Sequence, residues 1–168
     1  RGMEGALYAH AFLRVAGTDP GQRVLVHGAT GGLGTAIVQL LHAAEVEVTA
    51  VCDRLPPGRP DLLAEIGASR VVVLDDPDPG KGFGEGYDAV FDATGHFSFR
   101  EARPLLRPGG TYSSSEPGRG WQNLALAGAG PAARALGRRH VAFPLPRAGS
   151  DLAAHQLPPR SDADVLSG

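Results

Sequence analysis

The sequence predicts a single α/β domain built on a doubly wound parallel sheet. Short apolar runs alternate with helical patterns through the first 115 residues, which is the order typical of a sheet covered by helices on both faces. The run Val24-Leu25-Val26 is continuously apolar, as expected of a strand buried on both faces. A glycine-rich turn follows this run at once and opens a helix. These three observations define the predicted fold class.

Size and composition agree with this fold class. A chain of 168 residues can bury one core, and its 42% hydrophobic and 20% charged residues are typical of a globular protein. The net charge of −2 does not point to nucleic acid or to an anionic membrane as a partner. We therefore expect a small-molecule substrate, with neither nucleic acid nor membrane as a partner.

Cysteine and histidine usage argues against metals and disulfides. Cys52 is the only cysteine, so an intrachain disulfide and a cysteine-rich zinc site are excluded within this chain. The six histidines lack metal-ligand spacing, and we expect no metal. The apolar runs are far shorter than the ~20 residues needed to cross a bilayer, and the N-terminus has no signal-peptide pattern. A cytoplasmic protein is the expectation.

The chain is divided into a leading helix (residues 1–17), the α/β domain (18–150) and a frayed C-terminal tail (151–168). Strands are predicted at residues 23–27, 46–51, 71–74, 87–92, 111–114 and 140–143. Helices are predicted at residues 4–16, 33–44, 61–66 and 99–106, with a less regular one at 123–138. The helical segments show apolar residues every three or four positions, and glycine and proline mark the turns between elements.

The turn after the first strand reads Gly28-Ala29-Thr30-Gly31-Gly32-Leu33-Gly34. Its glycines let the backbone come close to a pyrophosphate, and the following helix directs unpaired N–H groups and its positive end at the phosphates. Gly34 permits close packing of helix and strand. The alternative is a tight turn that binds nothing, although its glycines would then cost helix stability without return. The context of strand, turn and helix indicates a Rossmann-type dinucleotide-binding unit.

Two charged residues follow the second strand and bear on the choice of cofactor. Asp53 stands 19 positions after Gly34, where a carboxylate can accept hydrogen bonds from the hydroxyls of an adenosine ribose. Arg54 can instead hold a 2′-phosphate. Asp53 favours NAD(H), whereas Arg54 favours NADP(H). The alternative interpretation of Asp53 is an exposed acidic residue in a loop that binds no ligand.

The fourth strand ends at Thr94 and Gly95, on the edge where open parallel sheets bind ligands. A hydroxyl and a bare backbone at this edge can contact the nicotinamide half of a cofactor. An ordinary turn is the alternative. The residues 113–115 at the end of the fifth strand are open to the same two interpretations.

The sequence resembles the zinc-independent quinone oxidoreductase and enoyl reductase branch of the medium-chain dehydrogenase/reductase superfamily. The resemblance covers roughly residues 3–145, and the order and spacing of its five blocks make it fairly specific. The blocks lie at residues 19–40, which read DPGQRVLVHGATGGLGTAIVQL, and at 48–52 (VTAVC), 66–68 (IGA), 87–92 (YDAVFD) and 106–110 (LRPGG).

The resemblance implies an NADP(H)-binding domain of an enzyme that reduces quinones, enones or related activated alkenes by hydride transfer. It implies that Gly31, Gly32 and Gly34 approach the pyrophosphate, and that Asp53 and Arg54 face the adenosine ribose or its phosphate. Thr94 and Gly95, followed by Phe143, are expected along the nicotinamide channel. No residue is assigned as catalytic, and His27 and His96 are expected to be neighbours of the cofactor.

The chain departs from the family pattern in ways that affect these expectations. The barrel-like substrate domain that precedes the cofactor domain in the family is not found in this sequence, so the chain is expected to be incomplete or poorly active by itself. Asp53 occupies a position where the family often has serine. The edge strand at 140–143 is expected to pair across a two-fold axis and form a homodimer, whereas Pro144 and Pro146 favour a monomer.

Three other functions compete with this one. A short-chain dehydrogenase requires a Tyr-x-x-x-Lys pair, but the only lysine is Lys81 and Pro77 stands four residues before it. A SAM-dependent methyltransferase would account for residues 108–110 and for an acid after the second strand, but it fits the glycine-rich helix entry less well. A non-catalytic nucleotide-binding or interaction module remains the third alternative.

Overall fold

The computed structural model of the chain describes residues 9–14, 17–57, 61–74, 82–115, 132 and 135–142. They form a six-stranded sheet in which each strand is parallel to its neighbours, in the order β3-β2-β1-β4-β5-β6. The strands are β1 (Arg23–His27), β2 (Glu47–Cys52), β3 (Arg70–Val73), β4 (Tyr87–Asp92), β5 (Leu106–Ser114) and β6 (His140–Val141). The helical segments are α1 (residues 9–14), α2 (Gly32–Ala43), α3 (Leu62–Glu65) and α4 (Phe99–Ala102). The predicted Rossmann-type doubly wound sheet is confirmed.

Both faces of the sheet are buried because the central strands are apolar without interruption. Val24 and Val26 belong to one buried cluster together with Phe12 of α1 and Ile37 of α2. Leu25, which lies between the two valines, belongs to a second cluster on the opposite face. A strand with apolar side chains on both faces requires a covering layer on each, and this requirement produces the three-layer fold.

The strand order places a topological switch at the centre of the sheet. From β1 the chain moves outward through β2 to β3, and it then crosses back to place β4 on the other side of β1. The connections therefore diverge at the carboxyl ends of β1 and β4. In open parallel sheets this divergence leaves a crevice in which ligands bind.

Most predicted elements agree with the structure to within one residue. β1 and β4 have the predicted bounds, whereas β2, β3 and α2 are each displaced by one residue. The helical residues 9–14 lie within the leading helix predicted at 4–16, and the rest of that helix lies outside the described residues. Of the helix predicted at 123–138, only residues 132 and 135–138 are described, and 132 and 135 are helical.

The helix predicted at 99–106 is wrong in its second half. It ends at Ala102 because Pro104 has no N–H to donate to the helix. β5 then begins five residues earlier than predicted, at Leu106, which lies opposite Tyr87. The register is interrupted before Thr111 pairs with Ala89, so residues 107–110 form an irregular segment within the strand.

Candidate functional site

A cavity of about 340 Å³ lies at the carboxyl ends of β1, β2 and β4, at the topological switch. It is lined by His27, Gly28, Thr30, Gly31, Gly32, Leu33, Gly34, Asp53, Arg54, Ala93 and Thr94. Nine of the twelve residues predicted to bind a cofactor are in this lining. The fold thus brings together segments that are far apart in the sequence, namely the glycine turn, the end of β2 and the end of β4.

The glycine turn is fixed to the neighbouring strand by its backbone. The N–H groups of Gly28 and Ala29 both donate to the carbonyl oxygen of Val51, at 2.9 Å each. Gly28 has a φ of +78°, and a Cβ at this position would lie 2.2 Å from Cγ2 of Thr94. Ala29 is fully buried beneath the turn and does not line the cavity. The turn therefore has one conformation, which only glycine permits at its first position.

Gly34 and Gly32 serve different purposes within the same turn. A Cβ at Gly34 would lie 2.2 Å from the carbonyl oxygen of Gly28 and 2.8 Å from Cα of Ala29, so helix and turn can approach only over a bare backbone. A Cβ at Gly32 would have no heavy atom within 4 Å. Gly34 is thus required by internal packing, whereas the space above Gly32 is open to the cavity.

The amino end of α2 faces this open space. Its N-cap residue is Gly31, which has no side chain that could accept from the N–H groups of the first turn. The first turn also contains no acidic residue. An unscreened helix amino end carries partial positive charge and free donors, and both favour an anion.

Asp53 and Arg54 lie directly after β2, and both are exposed at the rim of the cavity. The two residues border the cavity at its β2 side. Within the described part of the chain, the Asp53 carboxylate has no hydrogen bond or ion pair. Its acceptor atoms are therefore available to a ligand hydroxyl.

Asp92, the last residue of β4, is a site residue that the sequence did not reveal. Its side chain is fully buried beneath the cavity. Its Oδ1 accepts from the backbone N–H of Thr94 at 3.0 Å and from the Thr94 hydroxyl at 2.7 Å. Its Oδ2 accepts from the backbone N–H of Phe97 at 3.1 Å and from the hydroxyl of Ser114 at 3.2 Å. The carboxylate therefore holds the loop after β4 in place.

Two effects act on the ionisation of Asp92 in opposite directions. Burial opposes the charged form, but the hydrogen bonds from His27, Thr94 and Phe97 favour it and together lower the pKa of this carboxyl below its ordinary value. Asp92 is thus an ionised group inside the protein, stabilised by a full set of donors. Its charge lies directly behind the wall of the cavity.

His27 connects this buried carboxylate to the cavity. Its Nδ1 lies 3.3 Å from Oδ1 of Asp92, and its ring stacks on the ring of Phe97 with 4.9 Å between centroids. The contact with a carboxylate favours the tautomer protonated at Nδ1, which leaves Nε2 as an acceptor. The register of β1 and β4 pairs His27 with Asp92. Because the two residues end adjacent strands, this pairing is the signal from which the contact could have been found.

The other predicted residues have mixed outcomes. Thr94 lines the cavity, but its hydroxyl donates to Asp92, so the hydroxyl proton is not free for a ligand. Gly95 is adjacent to Thr94 and is not among the lining residues. His96 is exposed and does not line the cavity either. Phe143 lies outside the described residues.

Two further classes of site are absent from the described residues. No group of three or more His, Cys, Asp or Glu side chains is arranged to hold a metal ion there. None of the helices in the same residues has the length and apolar character that a membrane span requires.

Sequence comparison relates the chain to oxidoreductases and to polyketide synthases. No protein-family model matches it. It is 36% identical over 111 residues, or 61% of its length, to mycoketide-CoA synthase of Mycobacterium tuberculosis and covers 3% of that protein. Over 52 residues, or 31% of its length, it is 40% identical to the human mitochondrial NAD(P)H oxidoreductase RTN4IP1, of which it covers 12%. The chain thus spans a small part of the length of either relative.

Structural comparison gives a consistent result. The quinone oxidoreductase of Coxiella burnetii superposes with a TM-score of 0.68 and 20% identity, over 89% of this chain and 44% of that one. The quinone oxidoreductase of Thermus thermophilus, also solved in complex with NADPH, superposes with a TM-score of 0.61 and 29% identity, over 88% of this chain and 47% of that one. The enoyl reductase CurK superposes with a TM-score of 0.55 and 23% identity, over 82% of this chain and 40% of that one.

At identities of 20% and 23% the likeness shows the fold alone, whereas the Thermus enzyme at 29% also supports relationship. The sequence relatives and the structural neighbours lead to the same group that the sequence blocks resemble. Its structural neighbours include quinone oxidoreductases and an enoyl reductase of the medium-chain dehydrogenase/reductase superfamily, and the chain is similar to part of each of them.

Proposed function

We propose that the cavity at the carboxyl ends of β1, β2 and β4 binds a nicotinamide dinucleotide, NADP(H) in preference to NAD(H). The chain would then be the cofactor domain of an oxidoreductase that reduces a quinone, an enone or another activated alkene without zinc. When bound, such a cofactor supplies a hydride from C4 of its nicotinamide ring. Everything else that the domain contributes is binding and orientation.

The observation that carries this proposal is the open, uncapped amino end of α2. The turn before it has no side chain at Gly31 or Gly32, and the position of a Cβ at Gly32 is free of protein atoms within 4 Å. A pyrophosphate can therefore reach the backbone N–H groups directly, where the helix end favours its negative charge. This donor set fits the central part of a dinucleotide.

The two ends of the cavity would hold the two halves of the cofactor. Asp53 and Arg54 at the β2 side would meet the adenosine ribose, with the Arg54 guanidinium near a 2′-phosphate. Thr94 at the β4 side would lie beside the nicotinamide. Arg54 and the NADPH named for the Thermus neighbour support the preference for NADP(H). His27 would orient the cofactor from the cavity wall, and we assign no residue as proton donor.

Calorimetric titration of the chain with NADPH, NADH and S-adenosylmethionine tests the proposal. We expect both nicotinamide cofactors to bind, NADPH more tightly, and S-adenosylmethionine not to bind. Binding of S-adenosylmethionine alone would replace the proposal with a methyltransferase. NADPH oxidation is then measured with a panel of quinones and enones. Tight NADPH binding without turnover of any acceptor would indicate a non-catalytic nucleotide-binding module.

We also propose that the chain forms a homodimer through β6. This strand pairs with β5 and is last in the strand order, so its other side is an edge of the sheet in the described residues. Val141 is only 2% exposed, so a charge placed there would damage the core before it reached the interface. Ala142 is half-buried and suits the test better. In sedimentation at micromolar concentration, we expect the wild type to have twice the chain mass of 17.4 kDa. We expect the Ala142→Lys variant to dissociate into monomers. A monomeric wild type would refute the dimer.

A further inference from the structure

A second cavity, of about 430 Å³, lies among residues that open β5 and precede β6. We call it the arginine pocket. It is lined by Phe99, Arg103, Pro108, Gly137, Arg138 and Arg139. Three of these six residues are arginines and none is acidic. Among the described residues, the arginine pocket shares no lining residue with the cavity at the glycine turn.

One of the three guanidinium groups is held in place by the fold. Nε of Arg139 donates to the carbonyl oxygen of Leu106, the first residue of β5, at 2.6 Å. Arg139 is half-buried, whereas Arg103 and Arg138 are exposed. The Arg139 side chain is therefore a fixed wall, and its remaining N–H groups are available to a ligand.

The other two guanidinium groups have no counter-charge among the described residues. In the part of the chain that the structure describes, the side chains of Arg103 and Arg138 make no hydrogen bond and no ion pair. A nearby arginine does have a partner: near the amino ends of β4 and β5, Nε of Arg107 lies 2.5 Å from Oδ1 of Asp88. Positive charge collected around a concave surface attracts and concentrates anions.

The number of guanidinium groups indicates the class of anion. A carboxylate has two oxygens, and one guanidinium can satisfy both in a bidentate pair. A phosphate monoester has three terminal oxygens and close to two negative charges at neutral pH, so it can accept from several guanidinium groups at once. Three arginines around one cavity therefore fit a phosphate monoester better than they fit a carboxylate.

The rest of the lining indicates what the phosphate is attached to. Phe99 and Pro108 contribute apolar surface, and the Phe99 ring packs against the ring of Tyr112 with 5.8 Å between centroids. This packing holds Phe99 at the wall of the pocket. A volume of about 430 Å³ exceeds the needs of an inorganic ion and is within the range of small-molecule sites.

We propose that the arginine pocket binds a phosphate monoester that carries an aromatic or short aliphatic group. The phosphate is bound by Arg103, Arg138 and Arg139, and the apolar group lies against Phe99 and Pro108. The pocket is separate from the dinucleotide site, so it is a second ligand site of the domain. Its existence does not depend on which cofactor occupies the first.

Calorimetry with phenyl phosphate, in a phosphate-free buffer of low ionic strength, tests the proposal. We expect the double variant Arg103→Gln/Arg138→Gln to bind phenyl phosphate at least about tenfold more weakly than the wild type. Both substituted side chains are exposed, so the fold is expected to be retained, and circular dichroism verifies it. Arg100→Gln is the matched control, because Arg100 is exposed on α4 and does not line the pocket. We expect this control and Gly32→Val, which alters the other cavity, to bind as the wild type does.

Each component of the proposal has an outcome that overturns it. Unchanged binding by the double variant would remove the ligand from this pocket. Equal weakening by Arg100→Gln would show a non-specific charge effect, and weakening by Gly32→Val would place the ligand in the dinucleotide cavity. Benzoate binding as tightly as phenyl phosphate would refute the phosphate class. Inorganic phosphate binding equally tightly would refute recognition of the apolar group.

Discussion

The cavity at the glycine turn is lined mainly by backbone, whereas the arginine pocket is lined mainly by side chains. The first has walls of backbone, with glycines at Gly28, Gly31, Gly32 and Gly34 and a loop fixed by a buried carboxylate. The second has walls formed mainly by side chains, and three of its six described lining residues are arginines. Backbone walls and buried polar networks also hold the fold together, whereas exposed arginines do not. Some groups of the first cavity, such as Gly34 and the Asp92 carboxylate behind it, therefore also hold the fold together, whereas binding at the second cavity depends on side chains that the fold does not need.

The two cavities also offer different kinds of charge. The amino end of α2 presents partial charges on N–H groups whose positions are fixed by the helix. The arginine pocket presents full charges, two of them on exposed side chains that have no partner among the described residues. Interactions between exposed charges are screened by salt. We therefore expect binding at the arginine pocket to weaken with ionic strength more steeply than binding at the glycine turn.

The largest expected effect is that of Gly34→Val, which tests whether the first cavity and the fold are one structure. A Cβ there would lie 2.2 Å from a backbone oxygen and 2.8 Å from a backbone Cα, neither of which can move independently of the turn. We expect a loss of about 3 kcal/mol or more in the free energy of unfolding, measured by urea denaturation. Gly32→Ala is the control, because its Cβ meets no atom within 4 Å. A Gly34→Val variant as stable as the control would contradict the close packing of α2 on the turn.

Asp92→Asn is expected to have the next largest effect, because it removes a buried charge from behind the same cavity. The amide keeps the shape but replaces one acceptor oxygen with a donor, which would oppose the backbone donors of Thr94 or Phe97. We expect a loss of about 2 kcal/mol in the free energy of unfolding at pH 7. Asp88→Asn is the comparison, because Asp88 lies near the amino end of the same strand and its partly exposed carboxylate accepts from the backbone N–H of Arg23 and from Nε of Arg107; we expect a smaller loss there.

The pH dependence of this effect has a definite sign. Folding lowers the pKa of Asp92 from its ordinary value of 3.8, so the ionised carboxylate stabilises the fold above that pH. The contribution is lost as the pH falls through the lowered value. The difference in stability between wild type and Asp92→Asn should therefore be constant near neutrality and shrink below about pH 4. A difference that stays the same at pH 3, in matched urea titrations, would show that the charge is not what stabilises the loop.

Gly32→Val is expected to affect binding without affecting the fold. The added side chain fits the structure but occupies the open space at the amino end of α2. We expect the affinity for NADPH to fall about tenfold or more, which corresponds to ~1.4 kcal/mol. The unfolding curve should be close to that of the wild type. Unchanged affinity in a folded variant would place the pyrophosphate elsewhere.

The sequence predicted the framework of the site because local patterns determine it. The apolar run at 24–26 and the glycines that follow determine a buried strand, a tight turn and a helix, and the structure has them within one residue of the predicted bounds. The helix predicted at 99–106 failed because its apolar pattern continued past Pro104, and the missing N–H at Pro104 outweighed that pattern.

The residues that the sequence did not reveal are those defined by strand pairing. Asp92 appeared as one more residue in a strand, and its role depends on donors from residues 94, 97 and 114 and from His27 on the neighbouring strand. The arginine pocket was missed for a related reason, since Arg103 and Arg138 are 35 positions apart and adjoin only after β5 and β6 pair. Contacts between distant segments have no periodic signature in one sequence.

Asp53→Ser is expected to have the smallest effect and refines the comparison, because Asp53 is an exposed, charged side chain in a cavity lined mainly by the glycine turn. Its carboxylate would repel a 2′-phosphate, whereas it would accept from the hydroxyls of an unphosphorylated ribose. Serine removes the repulsion and keeps a small hydroxyl, so the ratio of NADPH to NADH affinity should rise by about threefold in competitive titration. Stability should not change, since Asp53 has no partner within the described residues. Glu65→Ser is the matched control, an exposed acid on α3 that does not line the cavity. An unchanged ratio would show that Asp53 does not face the ribose. Among the described lining residues, Arg54 would then be the exposed charged side chain that could still discriminate between the two cofactors.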